Sequence, residues 1–126
     1  MHIDAFICDA VTIREGLLHV LGAGATALTR REFPAPVAIA LGVVLSTERA
    51  GTYNISVDIK PDGAETPVGN VTGTVGSAAG DPEDDVVIPF PVGFGGIVIP
   101  GPGKYKIEIS VDGTLLRTLW FRVREA

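Results

Sequence analysis

The 126-residue chain is poor in the residue types on which most catalysis and metal binding depend. It has one cysteine, Cys8, so it forms no internal disulfide and carries no C-x-x-C pair. No His or Lys adjoins Cys8 to lower its pKa, and it is expected to be a buried structural thiol. Two histidines are too few for most metal centres. His2 and Asp4 flank one apolar stretch without ligand spacing, and His19 has no orienting partner nearby, so it is expected to be a partly exposed strand residue. Ser46, Ser56, Ser77 and Ser110 lie outside any G-x-S-x-G elbow. A nucleophile, a base and an orienting group cannot be assembled from this set, so no enzyme is expected and no cofactor is implied.

Clustered positive charge is missing too. Ten basic residues are spread over a chain of net charge -5, which argues against a nucleic-acid partner. The N-terminus MHIDAFICDA carries acids where a signal peptide needs a basic region, so a cytoplasmic location is expected. The longest charge-free run, Val86 to Gly103, is broken by four prolines and five glycines, which excludes a membrane-spanning helix. No membrane partner is expected.

What the chain does have is punctuation and alternation. Sixteen glycines and nine prolines leave no room for long helices. From Lys104 to Arg124, apolar residues fall on odd positions (Tyr105, Ile107, Ile109, Val111, then Leu115, Leu119, Phe121, Val123), the period-two signature of strands with one buried face. The two strands meet at Asp112-Gly113. A two-residue turn would pair Val111 with Thr114 and mix apolar and charged residues on each face. A three-residue loop, Val111-Asp112-Gly113, with Gly113 left-handed at a bulge, pairs Ser110 with Thr114 and gathers the apolar positions on one face. In that register Arg117 is the inward misfit, and Trp120 falls opposite Lys104 on the outer face, placed for a cation–π contact or as an interface anchor.

Taken in order, Ile3 to Ala10 predicts a central strand, apolar on both faces. Val11 to Gly16 reads as a connection, and Leu17 to Ala25 as the next strand. Gly22-Ala23-Gly24 lacks the third glycine opening a helix that a dinucleotide fold requires, and predicts a close backbone approach or a bulge. Adjacent Arg30 and Arg31 read as a solvated loop. Pro36 to Ser46 predicts the centre of one sheet, with Val37, Ile39, Leu41, Val43 and Leu45 on one face. Glu48 to Gly51 turns the chain into Tyr53, Ile55, Val57 and Ile59, read as the second arm of a hairpin with one wet face. Pro61-Asp62-Gly63 is a turn, and Val68 to Val75 a weaker strand loosened by Gly69 and Gly73.

Several of these features together (FxxDA from Phe6 to Ala10, Gly16-Leu17, Val20-Leu21-Gly22, the Pro-led apolar strand, Pro61-Asp62-Gly63, Gly103-Lys104-Tyr105 and Val111-Asp112-Gly113) resemble a bacterial family of short proteins classed as a domain of unknown function. The resemblance implies a β-sandwich, no established activity, and no catalytic or binding residues to carry over.

The expectation is therefore one domain over residues 1–126, an all-β, immunoglobulin-like antiparallel sandwich of seven to nine short strands, with a jelly roll as the alternative. The expected function is a noncatalytic protein-interaction or structural module that self-associates. Its interface is expected in the charge-free run, because only half of an extended apolar segment can face its own core. Phe90, Phe94, Ile97 and Ile99 are the anchors, with Trp120. Two ordinary core strands around a glycine turn is the competing reading of that run. The alternative function is a calcium-dependent binding sandwich of the lipid-recognition type, with Asp81, Glu83, Asp84 and Asp85 as candidate ligands completed by Asp62 or Asp112. That loop lacks the spaced acids of an EF-hand, and charge runs in loops are usually solvated.

Overall fold

A computed structural model describes residues 1–77 and 85–126 of the chain. Among these residues every regular element is a strand. Two sheets form the body. One is three-stranded, with β6 (Ala40–Thr47) between β1 (His2–Cys8) and β9 (Val86–Gly93). The other has five strands in the order β4-β12-β11-β7-β8, built from β4 (Ala27–Arg30), β7 (Thr52–Pro61), β8 (Gly69–Gly76), β11 (Gly103–Val111) and β12 (Thr114–Glu125). Among the described residues there are also two small ribbons: β2 (Ala10–Arg14) with β3 (Leu17–Leu21), and β5 (Ala35–Pro36) with β10 (Val98–Ile99).

Alternation explains the core. Ile3 and Ile7 of β1, Leu41, Val43 and Leu45 of β6, and Ile88, Phe90 and Val92 of β9 point inward from the first sheet. They meet Tyr53, Ile55, Val57 and Ile59 of β7, Tyr105, Ile107, Ile109 and Val111 of β11, and Phe121 and Val123 of β12 in one apolar cluster. The two sheets share this cluster in a sandwich-like arrangement, and their margins approach where β1 nears β12 and β9 nears β8. The described residues form twelve strands where seven to nine are expected, because pieces as short as β5 and β10 carry no readable period. β4 runs parallel to the end of β12, so the second sheet is not purely antiparallel.

Three pairings differ from the sequence reading. β1 is an edge strand and not a central one: its second apolar face is covered locally, the Phe6 ring lying over Gly42 and Cys8 being fully buried. β6 and β7 do not pair as a hairpin. Glu48 to Gly51 carries the chain from one sheet to the other, and the crossing is pinned by the Tyr53 hydroxyl, which shares a hydrogen bond with Thr47 Oγ1 at 3.0 Å and donates to the Arg49 carbonyl. Val11 to Arg14, read as a connection, is β2; it reverses into β3 through Glu15 (φ 53°) and Gly16 (φ 74°), a tight two-residue turn whose left-handed backbone matches strand twist.

The C-terminal hairpin also settles its register differently. Asp112 (φ 49°) and Gly113 (φ 84°) make a two-residue turn, so Val111 pairs with Thr114 and Ser110 with Leu115. The change of parity comes further along, where Ile109 faces Arg117 and Leu116 is the extra residue. This bulge returns Leu119, Phe121 and Val123 to the face of Tyr105 and Ile107, while Leu115 stays outside, 50% exposed, and Leu116 packs on the core. Arg117 remains solvent-exposed. The turn is reinforced from β7, whose Asn54 N–H donates to Asp112 Oδ1 at 2.9 Å.

Candidate interaction surface

The charge-free run forms β9, a turn at Gly95-Gly96, and β10. Phe90 (7% exposed), Phe94 (2%) and Ile99 (1%) are core residues, which corrects their expected role as interface anchors. Ile97 is half-buried and lies against Gly69 of β8, where any Cβ would meet it at 2.6 Å. Half of β9 does face outward, at Val87, Pro89, Pro91 and Gly93, alternating with the buried set. Of these, Val87 is the large apolar side chain in solvent, 61% exposed, and on β10 Val98 is 46% exposed.

Trp120 does stand on the surface, 43% exposed. The bulge shifts its direct partner to Lys106, and Lys104 reaches it diagonally, Nζ lying 4.5 Å from the ring centroid. On the same outer face Lys60 Nζ sits 2.7 Å from Glu108 Oε1, with Lys106 Nζ at 4.0 Å. The Lys60 ammonium holds the Glu108 carboxyl below its ordinary range, and the carboxylate raises Lys60 in turn.

The acids proposed for a cation fare differently. Asp81, Glu83 and Asp84 lie outside the described residues; Asp85 is exposed. Asp112 is engaged by the Asn54 amide. Among the described residues no group of three or more His, Cys, Asp and Glu side chains is placed to hold a metal ion. Cys8 is buried as expected, its thiol contacting the Ala40 carbonyl at 3.5 Å and pushed up in pKa by burial. His2 and Asp4 make an exposed 2.9 Å contact, and His19 is exposed on β3 opposite Thr12. Gly22 is a close approach, as read, a Cβ there meeting the Asp9 carboxylate at 2.7 Å, though it lies just after β3 and not within a strand.

The surface that sequence reading missed is the β2–β3 hairpin. Val11 pairs with Val20 and Ile13 with Leu18 on one face; Leu17 and Leu21 lie on the other, with His19 and Thr12. A two-stranded ribbon cannot bury both faces, and Ile13 (42%), Leu17 (63%) and Leu21 (70%) are left in solvent. An apolar trough of about 550 Å³ on the ribbon is lined by Val11, Leu18, Val20 and Leu21 with Ala10, Thr12 and His19. It packs beside β6 and β9 and is tied down at its base, where the Asp9 N–H donates to the Leu21 carbonyl at 3.0 Å and the Gly24 N–H to that of Ile7 at 2.8 Å. The signal for it was present: two five-residue runs, AVTIR and LLHVL, separated by Glu15-Gly16.

These features define an all-β, sandwich-like protein that carries an apolar hairpin on its surface. A family model matches residues 3–124, and the chain belongs to that family, one of unknown function designated DUF6941. No curated protein and no solved structure matches the chain. Among the described residues no helix is long and apolar enough to cross a membrane.

Proposed function

We propose that this chain is a noncatalytic protein-interaction module that presents the β2–β3 hairpin to another protein, self-association being part of the same reading. One observation carries it: the hairpin leaves Ile13 exposed on one face and Leu17 and Leu21 exposed on the other, Leu21 beside an apolar trough, on a ribbon tied at its base to the body of the sandwich. Apolar side chains collected on one protruding element mark contact sites, whereas singly scattered ones do not. The hairpin's turn fixes its shape in advance, which lowers the ordering cost of docking.

The test is comparative. Wild-type protein and a Leu17→Asp, Leu21→Asp variant are immobilised side by side and exposed to extract from the native host, with circular dichroism confirming that both are folded. A specific protein retained by the wild type and lost by the variant is the expected result. Equal retention by both would remove the hairpin from the interaction.

A further inference from the structure

We infer that two copies of this chain join edge to edge through β8, antiparallel about a two-fold axis at Gly73, so that the five-stranded sheet continues from one copy into the next. This deepens the self-association part of the proposed function by naming its surface, and it does not use the hairpin.

The sandwich manages its other margins. On β9, Pro89 and Pro91 have no N–H to offer to a further strand. On β1, the Ile7 carbonyl already accepts from Gly24 and Ala25. The free half of β12 is bent by the bulge at Leu116 and carries Arg117. β4 is four residues long and ends in Arg30. β8 has none of these devices: over Gly69–Gly76, GNVTGTVG, it has eight residues with no charge and no proline, and it ends the sheet.

The backbone groups that β8 leaves over can be assigned from the ladder. The carbonyl of Asn54 and the N–H groups of Asn54 and Asp62 face β11, so on β7 the odd positions Tyr53, Ile55, Val57 and Ile59 face β8. Their partners Val75, Gly73, Val71 and Gly69 point back at β7. Asn70, Thr72, Thr74 and Gly76 therefore direct N–H and C=O outward.

The sequence of this edge reads the same in both directions. Val71-Thr72-Gly73-Thr74-Val75 is a palindrome centred on Gly73. An antiparallel two-fold pairing with Gly73 opposite Gly73 sets Thr72 against Thr74 and Asn70 against Gly76. All of these are outward-facing positions, so each pair exchanges both of its hydrogen bonds. On the inner side Val71 meets Val75 of the other copy, and on the outer side Thr meets Thr, a favourable cross-strand pair. The same edge borders an apolar cleft of about 320 Å³ between β8 and β9, lined by Val71, Gly73, Val75, Phe90 and Val92 among others. A second β8 would lay its valines beside this opening, where the core is least covered.

The register makes a specific test. At the two-fold, Gly73 forms a non-hydrogen-bonded pair, with Cα atoms about 4.5 Å apart, within disulfide range. A Cβ at Gly73 meets nothing within 4 Å, so Gly73→Cys is accommodated. It should form an intermolecular disulfide on mild oxidation. Val75→Cys should not, since the two copies of that position are four residues out of step, roughly 13 Å apart. Light scattering should show a dimer for the wild type and a monomer for each of Thr72→Lys with Thr74→Lys and Thr72→Glu with Thr74→Glu, which set like charges opposite one another. Mixing the two variants should restore a dimer, which a misfolded variant would not do. A monomeric wild type at high micromolar concentration, a dimer that survives both charged variants, or cross-linking at Val75 and not at Gly73 would overturn the inference. A dimer lost only in Leu17→Asp with Leu21→Asp would overturn it too, while leaving the interaction reading standing.

Discussion

Gly113 shows how much one residue can fix. With φ at 84°, next to Asp112 at 49°, it occupies a backbone region that side chains with a branched Cβ strongly disfavour. Nothing crowds it sterically, so the cost of substitution is purely conformational. Gly113→Val is expected to lower stability by about 1 to 2 kcal/mol, read as a fall in denaturation midpoint at unchanged m-value; an unchanged midpoint would show that the turn does not depend on the glycine. The position was legible in the sequence, since Asp-Gly between two alternating runs is a hairpin signal. The location of the bulge was not. Parity demanded one extra residue somewhere in the hairpin, but Gly113 and Leu116 both satisfy that demand, and Asn54 from the neighbouring strand favours the tight turn by binding Asp112.

Among the elements, β7 and β11 form the centre of the larger sheet, and their outer faces are joined by the Lys60–Glu108 ion pair. Glu108 is held below its ordinary range chiefly by its hydrogen bond from Lys60, so its charged form is favoured by folding. That contribution is complete above the ordinary glutamate range and is lost as pH falls through the depressed folded value. Lys60, raised chiefly by the same bond, contributes below the ordinary lysine range and loses it as pH rises through its elevated value. Glu108→Gln should therefore destabilise the protein near neutral pH more than at acid pH, flattening the acid limb of a stability profile. An equal loss at both would mean that the pair is not linked to folding. The alternation of these strands was plain in the sequence. That of β2 was not, because five residues ending in Ile13-Arg14 give too short a period to separate strand from connection.

At the scale of the molecule, stability should be uneven. β7 and β11 have neighbours on both sides and supply fully buried Ile59, Ile107 and Ile109, whereas among the described residues β2 and β3 pair only with each other and lie largely in solvent. Amide hydrogen exchange should therefore open the hairpin first and the β7–β11 ladder last, near the global unfolding limit. Hairpin amides protected as well as those of β11 would show that the ribbon is covered in solution, by a second copy or by another chain.

The sequence by itself determined the local conformations and the sidedness of the strands. Period-two alternation put Tyr53 to Ile59 and Tyr105 to Val111 on a buried face, and Pro61-Asp62-Gly63 and Asp112-Gly113 made their turns, because each depends only on neighbouring residues. Tertiary structure decided which strands pair. β6 leaves β7 for β1 and β9, and Phe90, Phe94 and Ile99 go into the core while Ile13, Leu17 and Leu21 stay out. The physical reason is that alternation marks an apolar face and does not say which element covers it. Every strand edge offers the same N–H and C=O groups, so pairing is settled by long-range packing and by the reach of the connections between strands.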